Sequence, residues 1–133
     1  MLEGRKMFNS IKTAEDIMCF LVKTNSLHDS YIVKAEYIND GIEKTENGHY
    51  FNPEQTKLIL KILVTSIYDS VVEIEFENLS EWQIKDNQWE ITDTSVTFNE
   101  QRYIIWSDES FVDTDEIKKG SYVSAKSMKW RII

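Results

Sequence analysis

Three groups of side chains in this 133-residue chain have types and spacings that could do chemistry. The first is Glu73, Glu75 and Glu77, which alternate with Val72, Ile74 and Phe76. Two carboxylates can work as acid and base when a cleft raises the pKa of one of them. A period of two instead describes a strand, with the carboxylates on one face and the apolar groups on the other. An open strand face supplies no such cleft. Lys57 or Lys61 on a neighbouring strand would pair with these acids. The expected state is a solvated face, and its functional version is a docking face for a basic partner.

The second group is acidic: Asp108, Glu109, Asp113, Asp115 and Glu116, around Phe111 and Val112. It lacks the glycine and the oxygen spacing of a calcium-binding EF-hand loop. As a loop on a rigid scaffold it is the preferred place for a protein contact. The third group is His28-Asp29. Metal-dependent phosphohydrolases use a His-Asp pair, but with further ligands, and His49 is the only other histidine. A metal site needs three or four converging ligands. The expected role of Asp29 and Ser30 is local, bonding backbone groups where a helix passes into a strand. No metal or cofactor is expected.

Other catalytic signals are missing from the sequence. Cys19 is the single cysteine, so no intrachain disulfide or thiolate cluster can form. Its place in a helical pattern predicts a small buried apolar residue. There is no G-x-S-x-G, and Gly4, Gly41, Gly48 and Gly120 each stand alone, which leaves no phosphate-binding loop. The net charge of -8 opposes binding to nucleic acid and to anionic membranes. It serves solubility and suits a basic protein partner. No apolar run has the ~20 residues of a membrane span, and the first ten residues lack the apolar core of a signal peptide, so the cytoplasm is the expected location.

These residues need a scaffold. The length fits one domain, read as a leader over 1–12, a helix over 13–26 and a β-rich body over 29–133. Thr13 is a good helix cap, with Glu15 and Asp16 at the positive end of the dipole. Ala14, Ile17, Met18 and Leu21 form a helical stripe, widened by Phe20, that should lie on the sheet. Tyr31, Val33, Ala35 and Tyr37 alternate with Ser30, Lys34 and Glu36 in the first long strand. Asn39-Asp40-Gly41 and Asn47-Gly48 are turn signals, so Ile42–Glu46 is a short hairpin arm or a loop. Lys57–Ile67 is apolar on both faces, as in a central covered strand. A tight turn at Tyr68-Asp69-Ser70 makes it the antiparallel partner of the Glu73–Glu77 strand. A bend is expected at Asn78–Ser80 before Trp82 and Ile84. Short strands should follow around Trp89, Ile91, Val96 and Phe98, and another over Arg102–Ser107. In Ser121–Ile133, Val123 and Ala125 share one parity and Met128, Trp130 and Ile132 the other. That change calls for a bulge between Ala125 and Met128.

Leu27-His28-Asp29-Ser30-Tyr31-Ile32 before a long strand, and Ala125-Lys126-Ser127-Met128-Lys129-Trp130 near the end, resemble small uncharacterised bacterial β-rich domains. Some of those look like the immunity proteins of toxin systems. The resemblance implies a sheet-rich fold and a bacterial binding protein, and it transfers no functional residue.

The expected fold is α+β, an N-terminal helix on a mostly antiparallel, curved sheet forming a sandwich or partly open barrel. The expected function is non-enzymatic binding of a protein, of immunity type, by the acidic residues named above. The rival is a small-molecule-binding barrel or sandwich domain. Exposed tryptophan beside Tyr31 or Tyr37 would mark a binding patch, because Trp and Tyr dominate binding hot spots.

Overall fold

The computed structural model describes residues 7–85, 90–108 and 120–133. The chain opens with β1 (Asn9–Ser10), helix α1 (Ala14–Lys23) and β2 (Ser30–Asn39). It continues with β3 (Ile42–Thr45), β4 (Gly48–Phe51), β5 (Thr56–Val64) and β6 (Ser70–Gln83). Short strands β7 (Glu90–Ile91), β8 (Ser95–Phe98) and β9 (Ile104–Ser107) lead to the long β10 (Tyr122–Ile132). The leader thus reaches the sheet: β1 pairs with β10, and Ile11 enters the core.

Seven strands form one path, β7-β2-β5-β6-β10-β9-β8, and β1 adds to β10 beyond β9. The pairings are antiparallel, and the sheet curves strongly into a half-barrel with α1 packed against it. The two ends of the path, β7 and β8, are consecutive in the chain and joined only by Thr92–Thr94. A three-residue link therefore tethers one end of the curved sheet to the other. Strand β5 shows why the sheet holds. Leu58, Leu60, Ile62 and Val64 are fully buried and face Phe76, Ile74, Val72 and Ser70 of β6. The turn between these strands places Tyr68 and Asp69 at φ 61° and 58°, the left-handed pair whose twist matches that of a hairpin.

Helix α1 begins where Thr13 and Asp16 form a reciprocal capping box. Its buried stripe is rotated from the expected one. Phe20 is fully buried, with Ile17 and Leu21 beside it, whereas Ala14 is exposed and Met18 is 60% exposed. The large ring decides the orientation, because Phe20 meets Trp130 edge-on at 5.4 Å. Cys19 is turned outward with Met18 and is exposed, which corrects the expectation that it is buried.

Two bulges set the faces of the long strands. In β2 the register against β5 shifts between Ile32 and Lys34, so Ile32 is buried while Tyr31 and Val33 point away from the core. The single apolar face expected from Tyr31 to Tyr37 is therefore split. Strand β6 bends where expected but does not break: Asn78 takes φ 59° and the strand runs on to Gln83. Buried parity changes between Ala125 and Met128 as expected, and the paired β6 changes with it from Phe76 to Leu79. The register step itself lies at Ser124/Ala125, and the extra residue, Ser80, sits on β6. The strand expected over Arg102–Ser107 begins at Ile104, because Arg102 takes φ 68° in a turn closed by Asn99 and Tyr103.

Candidate functional site

On the outer face of the sheet, β5, β6 and β10 bring the three glutamates among lysine and arginine. Arg131 lies directly opposite Glu73, and Lys61 approaches the same carboxylate at 3.8 Å. Glu75 sits between Lys57 at 3.4 Å and Lys129 at 3.9 Å, and Lys129 also reaches Glu77 at 3.2 Å. Phe8 covers two of these cations, 4.3 Å from the Arg131 guanidinium and 4.9 Å from the Lys129 ammonium. Glu73 is only 8% exposed. The expected pairing with Lys57 and Lys61 is present, but the expectation of a solvated acidic face is corrected: Lys129 and Arg131 join them, so that three carboxylates are interlaced with four cations, and the face carries no surplus negative charge.

Asp108 is also placed differently from its expected role. It is buried, its Oδ1 accepts the Ser121 N–H at 3.1 Å, and its own N–H donates to the Ser121 carbonyl at 3.1 Å. A Cβ on Gly120 would come 2.6 Å from that carboxylate, so the close approach requires glycine. Gln83 Nε2 donates to the Gly120 carbonyl and Lys85 N–H donates to the Ser121 hydroxyl, both at 2.9 Å. Asp108 fastens a stem, with its carboxylate turned onto the Ser121 backbone. Glu109, Asp113, Asp115 and Glu116, like Trp89, lie outside the described residues.

His28 and Asp29 have structural partners. His28 Nδ1 lies 2.7 Å from the Thr92 carbonyl, which can only accept, so this nitrogen carries a proton and is not free to ligate. Nε2 faces Asp29 at 3.4 Å. The backbone carbonyls of His28 and Asp29 accept from the Ser66 and Thr65 hydroxyls at 2.8 and 2.6 Å, and Ser30 Oγ donates to the Leu27 carbonyl. These bonds hold Asn25, Ser26, Leu27 and Asp29 at positive φ, a conformation that costs roughly 1–2 kcal/mol for a residue such as Leu27 and less for Asn or Asp. Among the described residues no group of three metal-ligating side chains converges.

The arrangement that can bind is aromatic and lies at the end of β2. Tyr37 stacks on Trp82, with centroids 5.6 Å apart and planes at 24°, and the two are 44% and 37% exposed. Two residues beyond Tyr37, β2 ends and the β3–β4 hairpin begins as a separate two-stranded sheet. All eight of its strand residues are exposed, including Ile42, Tyr50 and Phe51. Ile42 and Phe51 are cross-strand partners, so they share a face. The base of the arm is tight: a Cβ on Gly41 would come 2.0 Å from the Asn52 carbonyl oxygen. The sequence signalled the turns that bound this arm but not the exposure of its apolar residues. A usable sign is the arm's length, since four-residue strands between turns carry too little surface to bury their own side chains.

Behind the aromatic pair, the core face holds a closed ring of side chains. Tyr37 faces Leu58, which faces Phe76, across β2, β5 and β6. Trp106 faces Val123, which faces Trp82, across β9, β10 and β6. The Tyr37–Trp82 stack joins these rows at one end, and Phe76 and Trp106, 6.2 Å apart, join them at the other. Trp106 is fully buried, and among the described residues no acceptor reaches its Nε1. An indole N–H left so costs about 1–3 kcal/mol. Elsewhere, a cleft of about 320 Å³ follows the bend of β6, where Glu54 and Lys126 pair at 3.5 Å beside Tyr103. On the other side of that bend Tyr122 donates to Glu81 at 2.5 Å, and burial together with that bond pushes its phenol pKa up to about 12. No family model, curated protein or solved structure matches the chain.

Proposed function

We propose that this chain is a non-enzymatic bacterial binding domain that docks a basic protein partner, in the manner of an immunity-type inhibitor. The docking surface is the β3–β4 arm with the adjoining Tyr37–Trp82 pair. The arm carries the reading. A two-stranded hairpin alone in water is at best marginally stable. Here it exposes Ile42, Tyr50 and Phe51 at more than half of their surface each. A partner surface laid against them supplies the missing burial. Glu43 is the cross-strand partner of Tyr50 on one face of the arm, Lys44 and His49 share the other face with Ile42 and Phe51, and Asp40 and Glu46 flank the arm in sequence. The Tyr50 ring beside Glu43 suits a lysine or arginine, through cation–π contact and charge complementarity. The Glu73–Glu77 face takes no part, because its charges are matched within the chain.

The test is co-expression with the products of neighbouring genes, followed by capture at low and high salt. A basic protein should co-purify, less so at high salt, where surface charges are screened. The double variant Tyr50→Ser, Phe51→Ser should unfold at the same temperature as the wild type and lose the partner. Capture of the same protein equally well by the double variant, or with no response to salt, overturns the reading.

A further inference from the structure

Asn52 N–H donates to the Gly41 carbonyl at 2.7 Å, which makes Gly41 and Asn52 a bonded pair at the base of the β3–β4 arm. Bonded and non-bonded pairs alternate along an antiparallel ladder. Glu43 with Tyr50 and Thr45 with Gly48 are therefore the bonded pairs inside the arm. The backbone N–H and C=O groups of His49 and Phe51 point outward from β4, as those of Ile42 and Lys44 do from β3. Among the described residues no strand pairs with either outer edge. Proteins blunt such edges with charged residues or proline, because a bare edge recruits other strands. Strand β3 follows this rule, with Glu43 and Lys44 at its centre. Strand β4, Gly48-His49-Tyr50-Phe51, holds no acid, lysine or proline, and all of it is exposed.

We propose that β4 is a pairing edge for a second copy of this chain, the two β4 strands running antiparallel about Tyr50. In that register His49 of each copy faces Phe51 of the other, and each such pair exchanges both of its outward main-chain hydrogen bonds. Tyr50 faces its own counterpart as a non-bonded pair, the closer kind, so two phenol rings meet on one face of the arm. On the other face each Phe51 ring lies beside an imidazole. The two hairpins become one continuous sheet, wider than the two-stranded arm that is marginal alone. Charge selects the edge. The same symmetric pairing through β3 sets Glu43 against Glu43 or Lys44 against Lys44, whereas β4 opposes neither carboxylates nor ammonium groups. The second copy takes the edge of the arm and leaves its faces to the basic partner proposed above, and neither reading requires the other.

The test is sedimentation velocity on the purified full chain, with no partner present, at rising concentration up to about 1 mM and at low and high salt. A reversible monomer–dimer equilibrium is expected. The contact is small beside the ~1,600 Å² of a standard interface, so the dimer should be weak. It should strengthen with salt, because each copy carries a net charge of -8 and screening relieves their repulsion. Capture of a basic partner responds to salt in the opposite direction, so the two readings fail separately. Tyr50→Lys should weaken association at least about tenfold by opposing two ammonium groups, while Glu43 across the hairpin keeps the arm paired. His49→Pro, which removes an outward N–H and no bond within the arm, should weaken it as well. A chain that stays monomeric throughout overturns the proposal, as does a dimer that weakens with salt or survives either substitution unchanged.

Discussion

Glu73 and Arg131 face each other across β6 and β10, and the guanidinium grips one carboxylate oxygen twice, through Nε at 2.9 Å and Nη2 at 2.7 Å. Glu73 retains 8% of its exposure, so its charge depends on this arginine and on Lys61. Removing one member of a nearly buried pair strands the other, whereas replacing both with apolar groups does not. Arg131→Met should lower stability by about 2 kcal/mol, and Glu73→Met combined with Arg131→Met should recover most of that loss. Urea unfolding of the three proteins measures both effects. A single variant within error of wild type would show that Lys61 and water suffice.

The position of the helix stripe gives a second prediction. Phe20 is fully buried against Trp130, while Met18 is 60% exposed. Phe20→Ala should cost about 3–5 kcal/mol, and Met18→Ala should stay within about 0.5 kcal/mol of wild type. The stripe read from sequence alone, through Ala14, Ile17, Met18 and Leu21 and widened by Phe20, would make Met18 costly as well, so the denaturant midpoint of the Met18 variant separates the two orientations.

Tyr122 gives a prediction in alkali. Its folded pKa is raised from 10.0 to about 12, first by burial and then by the bond to Glu81. The folded state therefore holds this proton more tightly than the unfolded state does. The stability this contributes is complete below pH 10 and is lost as pH rises through about 12. The stability difference between wild type and Tyr122→Phe should shrink steadily over that range. A constant difference would show that Tyr122 titrates normally.

The arm and the sheet should respond independently to mutation. Ile42→Ser and Phe51→Ser remove apolar groups that are already more than half exposed, so each should change stability by less than about 0.5 kcal/mol. Gly41→Ala should behave differently, because its Cβ would meet the Asn52 backbone. It should disturb the arm, seen as amide chemical-shift changes confined to β3, β4 and their base, with the β5–β6 signals unmoved.

The sequence by itself determined the local patterns and the charge. Strict alternation put Val72, Ile74 and Phe76 in the core, because the pleat sends alternate side chains to one face, and the tight turn at Tyr68–Ser70 made β5 the antiparallel partner of β6. Thr13 and Asp16 marked the start of α1, and the parity change near the C-terminus announced a bulge in the pairing of β10, though the extra residue, Ser80, lies on β6. Tertiary structure decided what depends on neighbours distant in the chain. Glu73, Glu75 and Glu77 read as a wet acidic face, yet Lys129 and Arg131, more than fifty positions away, lie on β10 and neutralise them. The bulge in β2, which turns Tyr31 and Val33 outward, shows only in the pairing with β5. Asp108 looked like part of a loop surface until Ser121 placed it in a buried stem. The Tyr37–Trp82 stack arises where β2 and β6 approach each other around the curve of the sheet. Periodicity fixes which face a side chain takes, but which other side chains share that face is set by strand order and curvature.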